Sequence, residues 1–159
     1  MRAHEFINEG VNTEPQFVLV IGGAGSGKNW YIRHDPIASA YKLIDVDAIK
    51  SDLGLDVAIK QVKPMLQSAF ERKENVAHPT TGSNLKGQQN KIALARRYGY
   101  KVTVVLKSTP IEQAIANVRK RHREGGHDVE IDAIINSNKR ARENFEVLKN
   151  LADDAIVVN

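Results

Sequence analysis

Short apolar or β-branched runs alternate with longer stretches of helical period along this chain, the pattern of a parallel sheet covered by helices. The runs are Phe17 to Ile21, Tyr41 to Ile44, Asn75 to Ala77, Lys101 to Leu106 and Ala155 to Val158, so about five strands are predicted. Helices are predicted between them over 28–33, 46–53, 56–73 with a break near Pro64, 84–98, 111–123 and 131–150. In the 111–123 helix, Ile111, Ala114, Ile115 and Val118 recur at i, i+3, i+4 and i+7, a stripe expected to pack on the sheet with Asn117 and Arg121 beside it. Thr109, Pro110 and Glu112 read as its N-cap, first-turn proline and early acid. In the last helix Ile131, Ile134, Ile135, Phe145 and Leu148 share a face that also takes in Asn138 and Arg142. Two polar groups on an apolar stripe need partners or a cleft; Arg142 either snorkels to water or serves a site.

Composition narrows the class. At 159 residues the chain is about one domain's worth, and 42% hydrophobic with 26% charged residues excludes wholesale disorder. No apolar run approaches the ~20 residues of a membrane span. With no cysteine there is neither a disulfide nor Cys-ligated zinc, and without a secretory signal at the N-terminus the expected compartment is the cytoplasm. A formal net charge of +4 favours anionic partners. Arg119, Lys120, Arg121 and Arg123 crowd together just before Gly125 and Gly126, as a solvated helix end or as an anion-binding surface.

The most informative segment is Phe17-Val-Leu-Val-Ile-Gly22-Gly23-Ala24-Gly25-Ser26-Gly27-Lys28-Asn29, a buried-type strand running into small residues and then a helix. Gly, four residues, Gly, Lys is the spacing of the phosphate-binding P-loop. Glycines let backbone N–H groups converge on phosphate oxygens, and Lys28 reaches the β- and γ-phosphates as a point charge. Asn29 stands where Ser or Thr usually binds Mg²⁺; its amide oxygen can coordinate a hard cation or hold its water shell, or the loop binds nucleotide but turns over poorly. After the second strand come Asp45 and Asp47, which strand alternation places on one side at the sheet edge that the phosphate loop shares. A carboxylate there can activate an acceptor hydroxyl or touch the metal. The plainer alternative is that Asp47 caps the helix that follows.

These segments resemble, in order, the zeta-toxin-like branch of P-loop kinases, which is related to small nucleotide and polynucleotide kinases. Gly22 to Lys28 resembles the family's phosphate loop, and Ile44-Asp45-Val-Asp47-Ala-Ile-Lys50 resembles the segment whose second aspartate is the acceptor-activating base. Arg97-Tyr-Gly-Tyr100-Lys-Val-Thr-Val-Val resembles its entry into the fourth strand, and Gly125-Gly-His127-Asp-Val129 its glycine-glycine-histidine motif. The resemblance implies a three-layer α/β kinase fold and an ATP:hydroxyl phosphotransferase using Mg²⁺. Carried over by position, Lys28 stabilises phosphate charge, Asp47 is the base, and Arg121 is a lid arginine. Arg119 and Arg123 border the substrate, and Asp45 joins Asn29 near the metal. The arginine that the pattern places about eleven residues beyond His127 falls near Ser137, leaving Arg140 as the next candidate, with Arg142 competing. His78-Pro-Thr-Thr81-Gly82-Ser83 resembles the threonine-glycine acceptor loop without the acidic residue often found before it.

The expected organisation is an N-terminal extension over 1–16, then one kinase domain over 17–159 with a lid near 119–130. The first ten residues resemble the leader that directs internal proteins into the heads of T4-like bacteriophages, which would place a cut after Glu9 and allow packaging in a virion; the alternative is a frayed terminal segment. His127 reads as a loop tether more readily than as an acid–base group. Trp30 and Tyr31 read as core. The expected partner is a small nucleotide or a nucleic-acid acceptor; the alternatives are a sugar nucleotide of the UDP-N-acetylglucosamine type and a catalytically impaired nucleotide-binding protein.

Overall fold

The computed structural model describes residues 14–47, 54–125 and 129–159. Five strands, β1 (Gln16–Ile21), β2 (Lys42–Leu43), β3 (Val76–Thr80), β4 (Lys101–Lys107) and β5 (Asp154–Val158), form one sheet in the order β2-β3-β1-β4-β5. Every pairing is parallel. The helices are α1 (Lys28–His34), α2 (Leu55–Glu71), α3 (Leu85–Arg97), α4 (Ile111–Arg123) and α5 (Ile131–Leu148). Single 3₁₀ turns occupy Ala38–Ala40 and Lys149–Leu151. Of the helix expected over 46–53, Val46 and Asp47 are helical and the rest lies outside the described residues, as do the 1–9 leader and His127.

The central strands β1, β3 and β4 are largely buried on both faces because both are covered. On one face Phe17, Leu19, Val76, Val102 and Val104 pack with Leu66 and Phe70 of α2, Ile92 of α3 and Ala141, Phe145 and Leu148 of α5. Phe17 meets Phe70 edge-on at 5.3 Å between ring centroids. On the other face Val20, Ala77 and Val105 pack against Ile32 of α1 and Ala38. The loop after β1, in the middle of the sheet, therefore emerges where the strand order reverses, the place where open parallel sheets bind ligands.

Three expectations are corrected. Helix α2 runs through Pro64 without a break, because Pro64 is exposed and the buried row of Val62, Leu66, Ala69 and Phe70 outweighs one lost backbone bond. The α4 stripe does not reach the sheet: Ala114 and Val118 pack with Ile134 of α5 and Ala24 of the loop, so α4 leans over the phosphate loop. Thr109 does not cap α4. The cap position is Pro110, and the Thr109 hydroxyl goes elsewhere.

Strand β3 outlasts its predicted end at Ala77 and takes in Pro79. Ala77 directs its carbonyl to β2, accepting from Ile44, so Pro79 two residues on also faces that side, where β2 has already ended. The missing N–H costs no ladder bond.

Candidate active site

Strand β1 delivers the chain into residues 22–27, and α1 starts at Lys28. Gly25 and Gly27 adopt φ of +75° and +90°, where a Cβ is strained. At Gly23 the reason is proximity: an added Cβ would lie 2.4 Å from the Asn138 backbone nitrogen. Four side chains pin the loop from behind. Ser137 Oγ accepts the Ala24 N–H at 2.9 Å, and Asn138 Nδ2 donates to the Ala24 carbonyl at 3.0 Å. Asn117 Nδ2 donates to the Gly25 carbonyl at 2.8 Å, and the Thr109 hydroxyl to that of Ser26 at 2.6 Å. The loop is held in shape before any ligand arrives.

Lys28 Nζ donates to the carbonyls of Gly22 at 2.8 Å and Gly23 at 3.3 Å. Burial pulls its pKa down to about 8, with Asp47 acting upward, Arg121 downward and Asp45 upward. Asn29 Nδ2 donates to Asp45 Oδ2 at 3.0 Å, and Asp45 Oδ1 accepts the Asp47 N–H at 3.0 Å. Strand alternation does not set this pair, because β2 stops at Leu43; a carboxylate-to-backbone bond does, and it is Asp45 that ties down the next turn. The exposed Asp47 side chain stays available at the cleft.

Asn29 Oδ1 is buried and has no hydrogen-bond partner. An orphaned amide oxygen beside a carboxylate suits a hard cation. That combination fits Mg²⁺, which keeps waters and phosphate oxygens and takes only one or two protein ligands.

The turn after β3 runs alongside the phosphate loop. Gly22 N–H donates to the Thr80 carbonyl at 3.2 Å. Gly82, at φ +73°, sits against Ile21, where a Cβ would come within 2.9 Å. Thr81 is exposed, its Oγ1 3.0 Å from Ser83 Oγ. Asn144 Nδ2 of α5 donates to the Gly82 carbonyl at 2.7 Å. Beneath this edge His78 is fully buried, with Nδ1 2.6 Å from the Ile44 carbonyl and Nε2 2.9 Å from Lys91 Nζ. Since a carbonyl only accepts, Nδ1 carries the proton and Nε2 accepts from Lys91. Burial, then the Lys91 charge, drives the His78 pKa down to about 3, and burial lowers Lys91 to about 8.

A family model described as an AAA domain matches residues 17–148. The chain belongs to the AAA-domain family. Its fold is that of the P-loop kinases. It superposes with a TM-score of 0.75 on a structure from the PezAT chromosomal toxin-antitoxin system of Streptococcus pneumoniae, at 17% identity over 96% of this chain and 74% of that one. A chain of the Pnkp1/Rnl/Hen1 RNA repair complex gives 0.70 at 18% identity, over 88% of this chain and 48% of that one. The AvrRxo1-ORF1:-ORF2 structure with ATP gives 0.70 at 17% identity, over 89% of this chain and 52% of that one. This AAA-domain chain thus spans about half the length of two of the three. No curated protein matches it in sequence. The kinase-type fold supports nucleotide binding and phosphoryl transfer as the general chemistry. Among the described residues no helix is long and apolar enough to cross a membrane.

The arginines fall into two sets. Arg119, Arg121 and Arg123 are all exposed near the end of α4, and Arg121 is the one whose charge bears on Lys28. On α5, Ser137, Arg140 and Asn144 stand at i, i+3 and i+7 and so share a face whose two ends touch the phosphate loop and the Gly82 turn. Arg140 lies between those ends. Arg142, five residues beyond Ser137, points about 140° away and is exposed. The buried stripe is Ile134, Asn138, Ala141, Phe145 and Leu148, with Ile131 and Ile135 exposed, so the expectation that Arg142 lies inside it is corrected.

Sequence reasoning passed over the tethers Thr109, Asn117, Ser137 and Asn144. Asn138 carried a signal, an amide on an apolar stripe, and its partner turned out to be the loop. Tyr31 packs against the second core cluster as expected, but Trp30 is 57% exposed rather than buried.

Proposed function

We propose that this protein is a Mg²⁺-dependent kinase that moves the γ-phosphoryl group of ATP to a hydroxyl on a nucleotide or nucleic acid. The observation that carries the reading is a glycine loop held by four side-chain tethers, with Lys28 on its carbonyls and the hydrogen-bonded line Asn29–Asp45–Asp47 beside it. In this reading Gly22, Gly23, Ala24, Gly25, Ser26 and Gly27 cradle the phosphates, and Lys28 exchanges its loop carbonyls for phosphate oxygens. Asp47 accepts the proton as the acceptor oxygen bonds to phosphorus and the bridging oxygen leaves with ADP. Arg121 from α4 and Arg140 from α5 neutralise charge on the transferring group from two sides. Asn29 Oδ1 and the Asp45 carboxylate would hold Mg²⁺, which neutralises β- and γ-phosphate charge.

The acceptor enters between β2 and the turn after β3, where Thr81 offers a hydroxyl at the rim. A polyanionic acceptor is supported by the exposed run of Arg119, Lys120, Arg121, His122 and Arg123 at the end of α4, the helix that packs on Ala24 of the phosphate loop. The likeness to a chain of an RNA repair complex agrees with that choice. A second reading, a nucleotide-binding protein with little turnover, is favoured by one observation: the Asn29 amide nitrogen already occupies an Asp45 oxygen.

An acceptor screen separates them. With γ-labelled ATP and Mg²⁺, transfer to an oligonucleotide or nucleotide hydroxyl is expected, and transfer only to sugar nucleotides overturns the acceptor class. Calorimetric ATP binding with no transfer to any acceptor selects the second reading. No heat with ATP removes both.

A further inference from the structure

We infer that Trp30 and His34 form a stacking platform for the nucleobase of the donor nucleoside triphosphate, an inference that rests on the phosphate-loop reading above. Trp30 is the only tryptophan in the chain. Its ring is 57% exposed, whereas Phe17, Phe70 and Tyr100 are buried. Single exposed apolar side chains are ordinary and exposure alone assigns nothing. What sets Trp30 apart is order and place.

The order comes from His34. Its ring lies 4.3 Å from the indole with the planes 19° apart, a parallel stack one helical turn along α1. His34 Nδ1 sits 2.7 Å from the Trp30 carbonyl oxygen, and since that oxygen only accepts, Nδ1–H is the donor. The imidazole is thereby fixed against one face of the indole. Among the described residues His34 is the only ring against Trp30, and the 57% exposure of the residue leaves surface for a planar ligand. An aromatic surface fixed in advance loses little rotamer freedom when a base stacks on it.

The place decides which base. Trp30 stands two residues beyond Lys28, in the first turn after the phosphate loop. Asn29 between them faces Asp45. Successive helical side chains diverge by about 100°, so around α1 the indole stands about 100° from Asn29, the residue that faces Asp45, and about 160° from Lys28. In an in-line transfer the γ-phosphate points to the acceptor and the donor nucleoside lies at the other end of the chain of phosphates. A ring in the first turn after the loop, on a flank away from Asp45, falls to the donor's base and not to the acceptor's.

Because no other tryptophan contributes, indole emission reports this position alone. The full chain with Mg²⁺ would be titrated with ATP, inorganic tripolyphosphate and a single-stranded oligonucleotide, following emission and heat together. ATP is expected to quench the emission, and tripolyphosphate to bind with little quenching. Trp30→Ala should weaken ATP about 5- to 150-fold, the equivalent of about 1–3 kcal/mol for a base on an aromatic ring, and leave tripolyphosphate unchanged. Trp30→Phe should restore most of the loss. The platform is overturned if ATP binds without altering the emission, or if Trp30→Ala weakens ATP and tripolyphosphate alike, which makes the ring a mere support of the loop. Quenching by the oligonucleotide in place of ATP would reassign the ring to the acceptor. If neither ATP nor tripolyphosphate gives heat, the phosphate-loop reading itself fails and the platform goes with it.

Discussion

The two halves of the cleft are built differently. The phosphate loop is anchored at the Ala24 N–H and at the Ala24, Gly25 and Ser26 carbonyls by Ser137, Asn138, Asn117 and Thr109, side chains drawn from α5, α4 and the turn before it. The acceptor edge starts from a two-residue strand and presents exposed Asp47 and Thr81, with Asn29, His78 and Asn144 as its ties. A triphosphate is the same in every kinase reaction, so the half that holds it can be rigid. Acceptors differ, and the half that would choose among them is the more open one. Preorganised dipoles belong where charge develops, and the tethers behind the loop supply that preorganisation.

The sharpest way to break this contrast is Lys28→Ala. Removing the lysine that closes the loop should lower transfer about a thousandfold while the fold persists, as read by label transfer and circular dichroism. Equal loss of ATP binding and of folding would show that Lys28 serves the loop's shape instead. Next comes Asp47→Asn, which keeps the shape of the side chain but not its basicity. It should cost about a hundredfold or more in kcat and leave ATP affinity unchanged, since the role assigned to it lies wholly on the acceptor side. A full rate in Asp47→Asn would move the base to Asp45 or remove it. Arg140→Ala and Arg142→Ala then test the helix face directly. A loss of tenfold or more is expected for Arg140 and almost none for Arg142, measured as kcat/KM; the reverse order would overturn the facing of α5.

Asn138→Ala acts on the donor half without touching phosphate. It removes the buried Asn138 amide and strands the partly buried Ala24 carbonyl, so unfolding in urea should show about 1–3 kcal/mol lost, and ATP affinity should fall further than acceptor KM changes. If acceptor KM moves as much as ATP affinity, the two halves are mechanically one.

The same division explains what could be read without coordinates. Strand β1, the glycine loop and α1 are local: the residues that make the strand, the turn and the lysine are contiguous, so pattern and motif agree. Asn138 was visible as an amide on an apolar stripe, but its partner Ala24 lies 114 residues away, and no periodicity reports such a contact. Thr109 illustrates the opposite error. A threonine before proline has the chemistry of a cap, and the tertiary bond to the Ser26 carbonyl won instead. Arg142 failed because apolar spacing was extended over Ile131 and Ile135, which the end of the helix leaves exposed. Trp30 failed because size alone suggested burial. The sequence singles out Asp45 and Asp47, but strand alternation does not relate them, because β2 stops at Leu43. The order β2-β3-β1-β4-β5 depends on which long-range pairs form, and five similar apolar runs do not specify it.

The smallest expected effect concerns how the acceptor edge is held from below. His78 donates to the Ile44 carbonyl, immediately before Asp45, and accepts from Lys91, so it must stay neutral to do both. Its folded pKa of about 3 lies below the ordinary 6.5, so between those values the unfolded chain takes up a proton that the folded chain refuses. Stability therefore rises with pH across that window and is fully regained above it. Between pH 7 and pH 5 the loss should be about 2 kcal/mol in urea unfolding, from about 1.4 kcal/mol per pH unit below the ordinary value. Carboxylates titrate mainly below this range, and His78→Gln keeps a donor and an acceptor without titrating. That variant should flatten the pH 5–7 slope while retaining Asp47-dependent transfer. A slope unchanged in His78→Gln would place the acid sensitivity elsewhere and remove His78 as the titrating support of the carboxylate pair.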